Sequence, residues 1–107
     1  MPMTHRYVPE TLTRADIDAR PGGLVLEFGT NWCGFCQGAQ PLIEQAFAAH
    51  PQVQHIKVED GSGRPLGRSF RVKLWPTLIF LRDGQEVSRL VRPGNAQEIV
   101  RALGQVA

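Results

Sequence analysis

The chain has 107 residues, one domain's worth, and is long enough to bury a core without metal or disulfide staples. Hydrophobic residues make up 42% and charged residues 21%, which excludes a disordered, collagenous or coiled-coil chain. A net charge of +2 is too small to argue for nucleic acid as a partner, and two cysteines are too few for a disulfide scaffold, a four-cysteine zinc site or a four-cysteine iron–sulfur cluster.

Residues 1–10 hold no apolar run and carry Pro2, His5 and Arg6, so no secretory signal is read there and a cytoplasmic location is expected. Thr13 with Asp16 suggests a short first helix. Leu24-Val25-Leu26-Glu27-Phe28, entered through Pro21-Gly22-Gly23, reads as a buried strand. Residues 33–49 carry Ala39, Leu42, Ile43, Ala46 and Phe47 at helical spacing. Residues 53–58 read as a strand, Gly61-Ser62-Gly63 as a loop and residues 64–70 as a weak helix. Residues 77–81 form a strongly apolar strand, and Asp83-Gly84 signals a hairpin into residues 86–91. Asn95-Ala96-Gln97-Glu98 has the pattern of an N-cap with a reciprocal carboxylate, ahead of the apolar stripe Ile99, Val100 and Leu103.

The order is roughly β-α-β-α-β-α-β-β-α. It predicts an α/β fold with a mixed sheet of about five strands, covered on both faces by about four helices. No linker divides the chain, so residues 1–107 are expected to form one domain, and a monomer is the default for that size. The apolar runs are far shorter than the roughly 20 residues of a membrane span, so no membrane is expected. Charge is uneven: residues 1–63 sum to −3 and residues 64–107 to +5, which reads as solvated surface, with a basic face selecting acidic partners as the alternative.

Trp32-Cys33-Gly34-Phe35-Cys36 is the most informative segment. Its cysteines lie three apart, after a strand pattern and at the start of a helical one. The first turn of a helix at that spacing brings the sulfurs together, and its unpaired N–H groups stabilise a thiolate on the first cysteine. Such a thiolate attacks disulfides through a mixed disulfide, which a second nearby thiol resolves. Three other readings stand beside this one. A half zinc site would need further ligands, and His5, His50 and His55 show no finger-like spacing to the pair. A structural disulfide here would close a very small loop and stabilise little. The third is two inert thiols. A CxxC in a βαβ context favours the redox-active reading.

The segment resembles the active site of thioredoxins, which usually have proline where Phe35 stands. The likeness runs from about Tyr7 to Gln105. Pro41 sits where the family places a helix-bending proline, Trp75-Pro76-Thr77 resembles the loop with the family's cis-proline, and Asp83-Gly84 resembles its last hairpin. The resemblance implies a thioredoxin-like fold and a protein disulfide reductase. In it Cys33 is the nucleophile and Cys36 the resolving thiol. Glu27, buried and with its pKa raised, takes the proton of Cys36, and Lys57 tempers that shift, the alternative being an edge-facing, solvated Glu27–Lys57 pair. It further implies a cis Pro76, against the bland alternative of a trans proline, and main-chain pairing of substrate at Trp75. Trp32, Gly34, Phe35, Trp75, Pro76 and Arg92 are the expected substrate-binding residues. No metal or organic cofactor is implied. The implied partners are disulfide-containing proteins and a flavoprotein thioredoxin reductase fed by NADPH.

Departures from the family pattern carry their own expectations. Gly29 stands where many members have tryptophan, which implies less packing beside the site and a looser loop. Leu74 and Arg92 stand at or near usual glycines, and Arg92 with Arg71 and Lys73 would make the groove basic. Phe35 brings neither proline's fixed φ nor a positive charge between the cysteines, so a reductant-leaning couple is expected. The alternatives are a disulfide oxidase or isomerase of the same fold, or a binding module with a regulatory redox pair.

Overall fold

A computed structural model of the chain describes residues 6–8 and 12–107; His5 and most of the segment read for a secretory signal lie outside the described residues. The elements run α1 (Arg14–Asp18), β1 (Gly23–Gly29), α2 (Gly34–Phe47), β2 (Gln54–Glu59), α3 (Pro65–Ser69), β3 (Thr77–Arg82), β4 (Gln85–Val91) and α4 (Ala96–Val106). The strands form one sheet in the order β2-β1-β3-β4. β1 pairs with β2 in parallel and with β3 antiparallel, and β3 pairs antiparallel with β4. The mixed α/β architecture is the expected one, with four strands rather than about five. Among the described residues, the segment ahead of α1 adds a single parallel bridge, Val8 to Val58. There the Glu59 N–H donates to the Val8 carbonyl at 2.9 Å.

Strand alternation decides which side chains meet which helices. On one face Val25, Leu78 and Phe80 pack with Ile43 and Phe47 of α2 and with Ile99 and Leu103 of α4. On the other, Leu24, Leu26, Phe28, Ile79 and Leu81 pack with Ile17, Leu66 and Phe70. Each fully buried side chain of this kind contributes about 1.5–3 kcal/mol. Glu27 shares the α2 face with Val25, so the strand aims one carboxylate at α2 from within an apolar layer.

The helix ends follow their capping residues. Thr13 and Asp16 close a reciprocal capping box on α1. Asn95 accepts the Glu98 N–H at 2.9 Å, but the Glu98 carboxylate reaches past Asn95 to the Gly94 N–H at 3.1 Å, one residue beyond the expected reciprocal partner. Pro65 opens α3 as its first helical residue, where a missing N–H costs nothing. Pro41 lies inside α2 and cannot donate to the carbonyl of Gln37. Among the described residues no helix is long and apolar enough to cross a membrane.

Candidate active site

β1 ends at Gly29 on the α2 face, and four residues later Cys33 caps α2. Cys33 is extended (φ −81°, ψ 122°), and its Sγ accepts the Cys36 N–H at 3.2 Å. The first sulfur therefore sits among the unpaired N–H groups of a 14-residue helix, at the positive end of its dipole. Both cysteines are free thiols, Cys33 8% exposed and Cys36 1%. Burial, reinforced by the hydrogen bond with Cys33, pushes the Cys36 thiol up to about 12. At neutral pH a thiol in that range stays protonated. The two sulfurs are thus chemically unlike: one is stabilised by helix donors, and the other needs a base.

Glu27 and Lys57 lie side by side across the β1–β2 register, 0% and 1% exposed. Burial by itself raises the Glu27 pKa, but the His55 hydrogen bond and charge, Lys57 and Tyr7 outweigh it and hold the carboxyl below its ordinary range. The raised pKa expected from the sequence is corrected on this point. Its physical reason is the number of donors. His55 Nε2 meets Oε1 at 2.8 Å, Gln40 Nε2 donates to Oε2 at 2.9 Å, and the Tyr7 hydroxyl donates to Oε2 as well. Donors aimed at a carboxylate favour its ionised form. Lys57 is itself held below the usual lysine range by burial, with the charge of Glu27 opposing. Its Nζ donates to Gln40 Oε1 at 2.7 Å, so one glutamine amide links the lysine to the carboxylate.

Gly29 does not leave the site loosely packed. A Cβ built there would stand 2.6 Å from Cys36 Sγ and 2.8 Å from Tyr7 Cζ, so the tyrosine ring and the sulfur fill the space a side chain would need. Tyr7 is 4% exposed and packs with Cys33, Cys36 and Trp75. Asn31 fixes its main chain twice: the Tyr7 N–H donates to Asn31 Oδ1 at 2.9 Å, and Asn31 Nδ2 donates to the Tyr7 carbonyl at 3.0 Å. Sequence reasoning missed Tyr7, Asn31 and Gln40, and it weighed His55 only as a metal ligand. Strand alternation held the missing signal for His55, since it faces the same way as Lys57, two residues on.

The rim is built from the aromatic residues. Trp32 is 74% exposed and meets Trp75 edge-on at 5.7 Å. Trp75 Nε1 donates to Asp60 Oδ2 at 2.9 Å, and the Trp75–Pro76 bond is cis, as the resemblance implied. Arg92 packs its guanidinium 3.9 Å from the centre of the exposed Phe35 ring and donates from Nε to the Trp75 carbonyl at 2.9 Å. A groove of about 540 Å³ beside Phe35 is lined by Gly34, Gly38, Ala39, Leu42, Arg92 and Pro93. Among the described residues Arg92 is the only cation in that lining, which gives the apolar groove one charge at its edge. The expected basic groove divides instead: Lys73 lines a separate hollow of about 210 Å³ with Arg64 and Arg68, beyond Trp75.

Comparison with known proteins agrees with this geometry. The thioredoxin family profile matches residues 10–105. Thioredoxin 2 from Pseudomonas aeruginosa, in its reduced form, is 52% identical with a TM-score of 0.84, covering 96% of this chain and 99% of that one. Thioredoxin from Chlamydia trachomatis is 36% identical over 90 residues, 82% of this chain and 87% of its own length. A peptide-N(4)-(N-acetyl-beta-glucosaminyl)asparagine amidase from Caenorhabditis elegans is 32% identical over 82 residues, but the chain spans only 13% of that protein. With a family profile across nearly its whole length and a dithiol at the start of α2, the chain belongs to the thioredoxin family and is a thiol–disulfide oxidoreductase of the protein disulfide reductase type.

Proposed function

We propose that Cys33 attacks and Cys36 resolves, in that order, on disulfides of protein substrates. The observation that carries this reading is the inequality of the two sulfurs. Cys33 Sγ receives a helix N–H, whereas the Cys36 thiol is buried and pushed up to about 12. The Cys33 thiolate attacks one sulfur of a substrate disulfide, and the other leaves as a thiolate. Cys36 then loses its proton to Glu27 and attacks Cys33. That step releases the second substrate sulfur and leaves a Cys33–Cys36 disulfide. Glu27 suits the proton step because it is ionised, buried and next to Lys57.

The rim supports a place for substrate. Trp75 packs against the cysteine pair, the exposed Trp32 and Phe35 flank Cys33 in the chain, and Gly34 and Arg92 edge the apolar groove. The electrons would come from NADPH through a flavoprotein reductase, and the chain would act as a single-domain monomer in the cytoplasm. Reduction of insulin by dithiothreitol with the chain as catalyst tests the reading. Cys33→Ser should abolish the acceleration, and Glu27→Gln should slow turnover by about tenfold or more near pH 7. Full activity in Cys33→Ser would refute the order of attack.

A further inference from the structure

Glu27 is the final proton acceptor in the reading above, and the next point rests on it. Among the described residues, Cys36 Sγ makes no hydrogen bond to Glu27. Both carboxylate oxygens are already engaged, Oε1 by His55 and Oε2 by Gln40 and Tyr7. The group that touches both ends is Tyr7. Its hydroxyl donates to Glu27 Oε2, and its side chain packs against Cys36. Its ring end and the Cys36 sulfur close on the same point above Gly29. Asn31 pins its backbone by two bonds, and Lys57 Nζ lies 4.4 Å over the ring. A phenol fixed this firmly between a thiol and a carboxylate is placed to pass a proton.

We infer that Tyr7 carries the proton from Cys36 to Glu27. The Cys36 Sγ–H bond breaks as its proton passes to Tyr7 Oη, while the Tyr7 Oη–H bond breaks as its proton passes to Glu27 Oε2. The Cys36 thiolate then forms the bond to Cys33 Sγ, the bond from Cys33 to the substrate sulfur breaks, and that sulfur leaves with the electron pair and takes a proton from water. The substrate disulfide is reduced by two electrons, and the Cys33–Cys36 dithiol is oxidised by two. When a dithiol donor reduces Cys33–Cys36 again, the two protons return along the same path. Burial and the adjacent Glu27 charge drive the Tyr7 hydroxyl far above its ordinary range, so it stays neutral and works by simultaneous gain and loss. The arrangement depends on Gly29, because any side chain there would occupy the position of the ring and the sulfur.

Stopped-flow mixing of the reduced chain with a limiting symmetrical aromatic disulfide tests this. Its two thiolates leave in successive phases, the first reporting attack by Cys33 and the second resolution by Cys36. Tyr7→Phe keeps the ring and removes the hydroxyl. The expected result is a second phase slower by about tenfold or more near pH 7, a deficit that closes as hydroxide takes over at higher pH, and a first phase altered by less than about twofold. Glu27→Gln should slow the same phase, and the double variant should be no slower than the slower single one. In the unmutated chain, the second-phase rate should depend on deuterium fraction along a curve, because two protons move together. An unchanged second phase in Tyr7→Phe, a deficit constant across pH, or a linear deuterium dependence would each overturn the inference. If Glu27→Gln alone is slow, the relay fails and the Glu27 reading stands; if neither is slow, both fail.

Discussion

Arg92 has φ +51°, in the left-handed region where glycine is at ease and a side chain is not. The resemblance puts a usual glycine at or near this position, and a glycine would hold this backbone without strain. This chain holds the strained residue through three contacts: the Phe35 ring, the Trp75 carbonyl and its own N–H on the Pro76 carbonyl at 2.9 Å. Arg92→Ala and Arg92→Gly remove the same side-chain contacts, but only glycine relieves the backbone. Arg92→Gly should therefore be more stable than Arg92→Ala by about 1 kcal/mol in urea unfolding. Equal stability would show that the left-handed turn carries no strain. Glu27 sets a pH dependence of its own. Its folded-state pKa is depressed, so the unfolded chain binds the extra proton between that value and about 4.3. Its contribution is present above about pH 4.3 and is lost as pH falls through the folded value. The stability gap between the unmutated chain and Glu27→Gln should shrink on acidification from pH 7 to pH 3, measured by denaturant melts; a gap independent of pH would contradict the ionised assignment.

At the scale of elements, α2 does more than span the sheet. Its third residue is the resolving cysteine, its N-cap carries the attacking sulfur, and Gln40 on its second turn reaches Glu27, Lys57 and the Cys36 carbonyl. Elements were legible wherever periodicity and a cap agreed. Asn95 is the plainest case, and Asn95→Ala should cost about 1 kcal/mol by loss of its bond to the Glu98 N–H, read as a lowered urea midpoint with an unchanged slope. A midpoint within error of the parent would mean the cap is idle. Glu27 stood out because one carboxylate interrupted an apolar strand. Tyr7 did not, because its meaning depends on a contact 20 residues away that no local period encodes. The absent side chain at Gly29 was visible, but not which group would fill the gap. The fifth strand was expected from the element order alone, and the described residues before α1 supply one bridge.

For the molecule as a whole, the β2-β1-β3 order matters most. It puts Glu27 between Lys57 on one neighbour and Leu78 on the other, and brings the Trp75–Pro76 loop that precedes β3 beside the end of β1. The dithiol, its base and the rim thus come from separate stretches of chain meeting at one end of the sheet. That convergence follows from topology, which is why the resemblance found the site while pairwise details such as the Arg92–Trp75 bond waited for coordinates. The central claim is that Cys33 attacks first and Cys36 resolves. Intact mass spectrometry after mixing each single-serine variant with a disulfide-linked peptide tests it most directly. Cys36→Ser should accumulate a stable adduct with one peptide strand through Cys33, and Cys33→Ser should remain at its own mass. An adduct on Cys33→Ser that forms as fast as on Cys36→Ser would contradict the account.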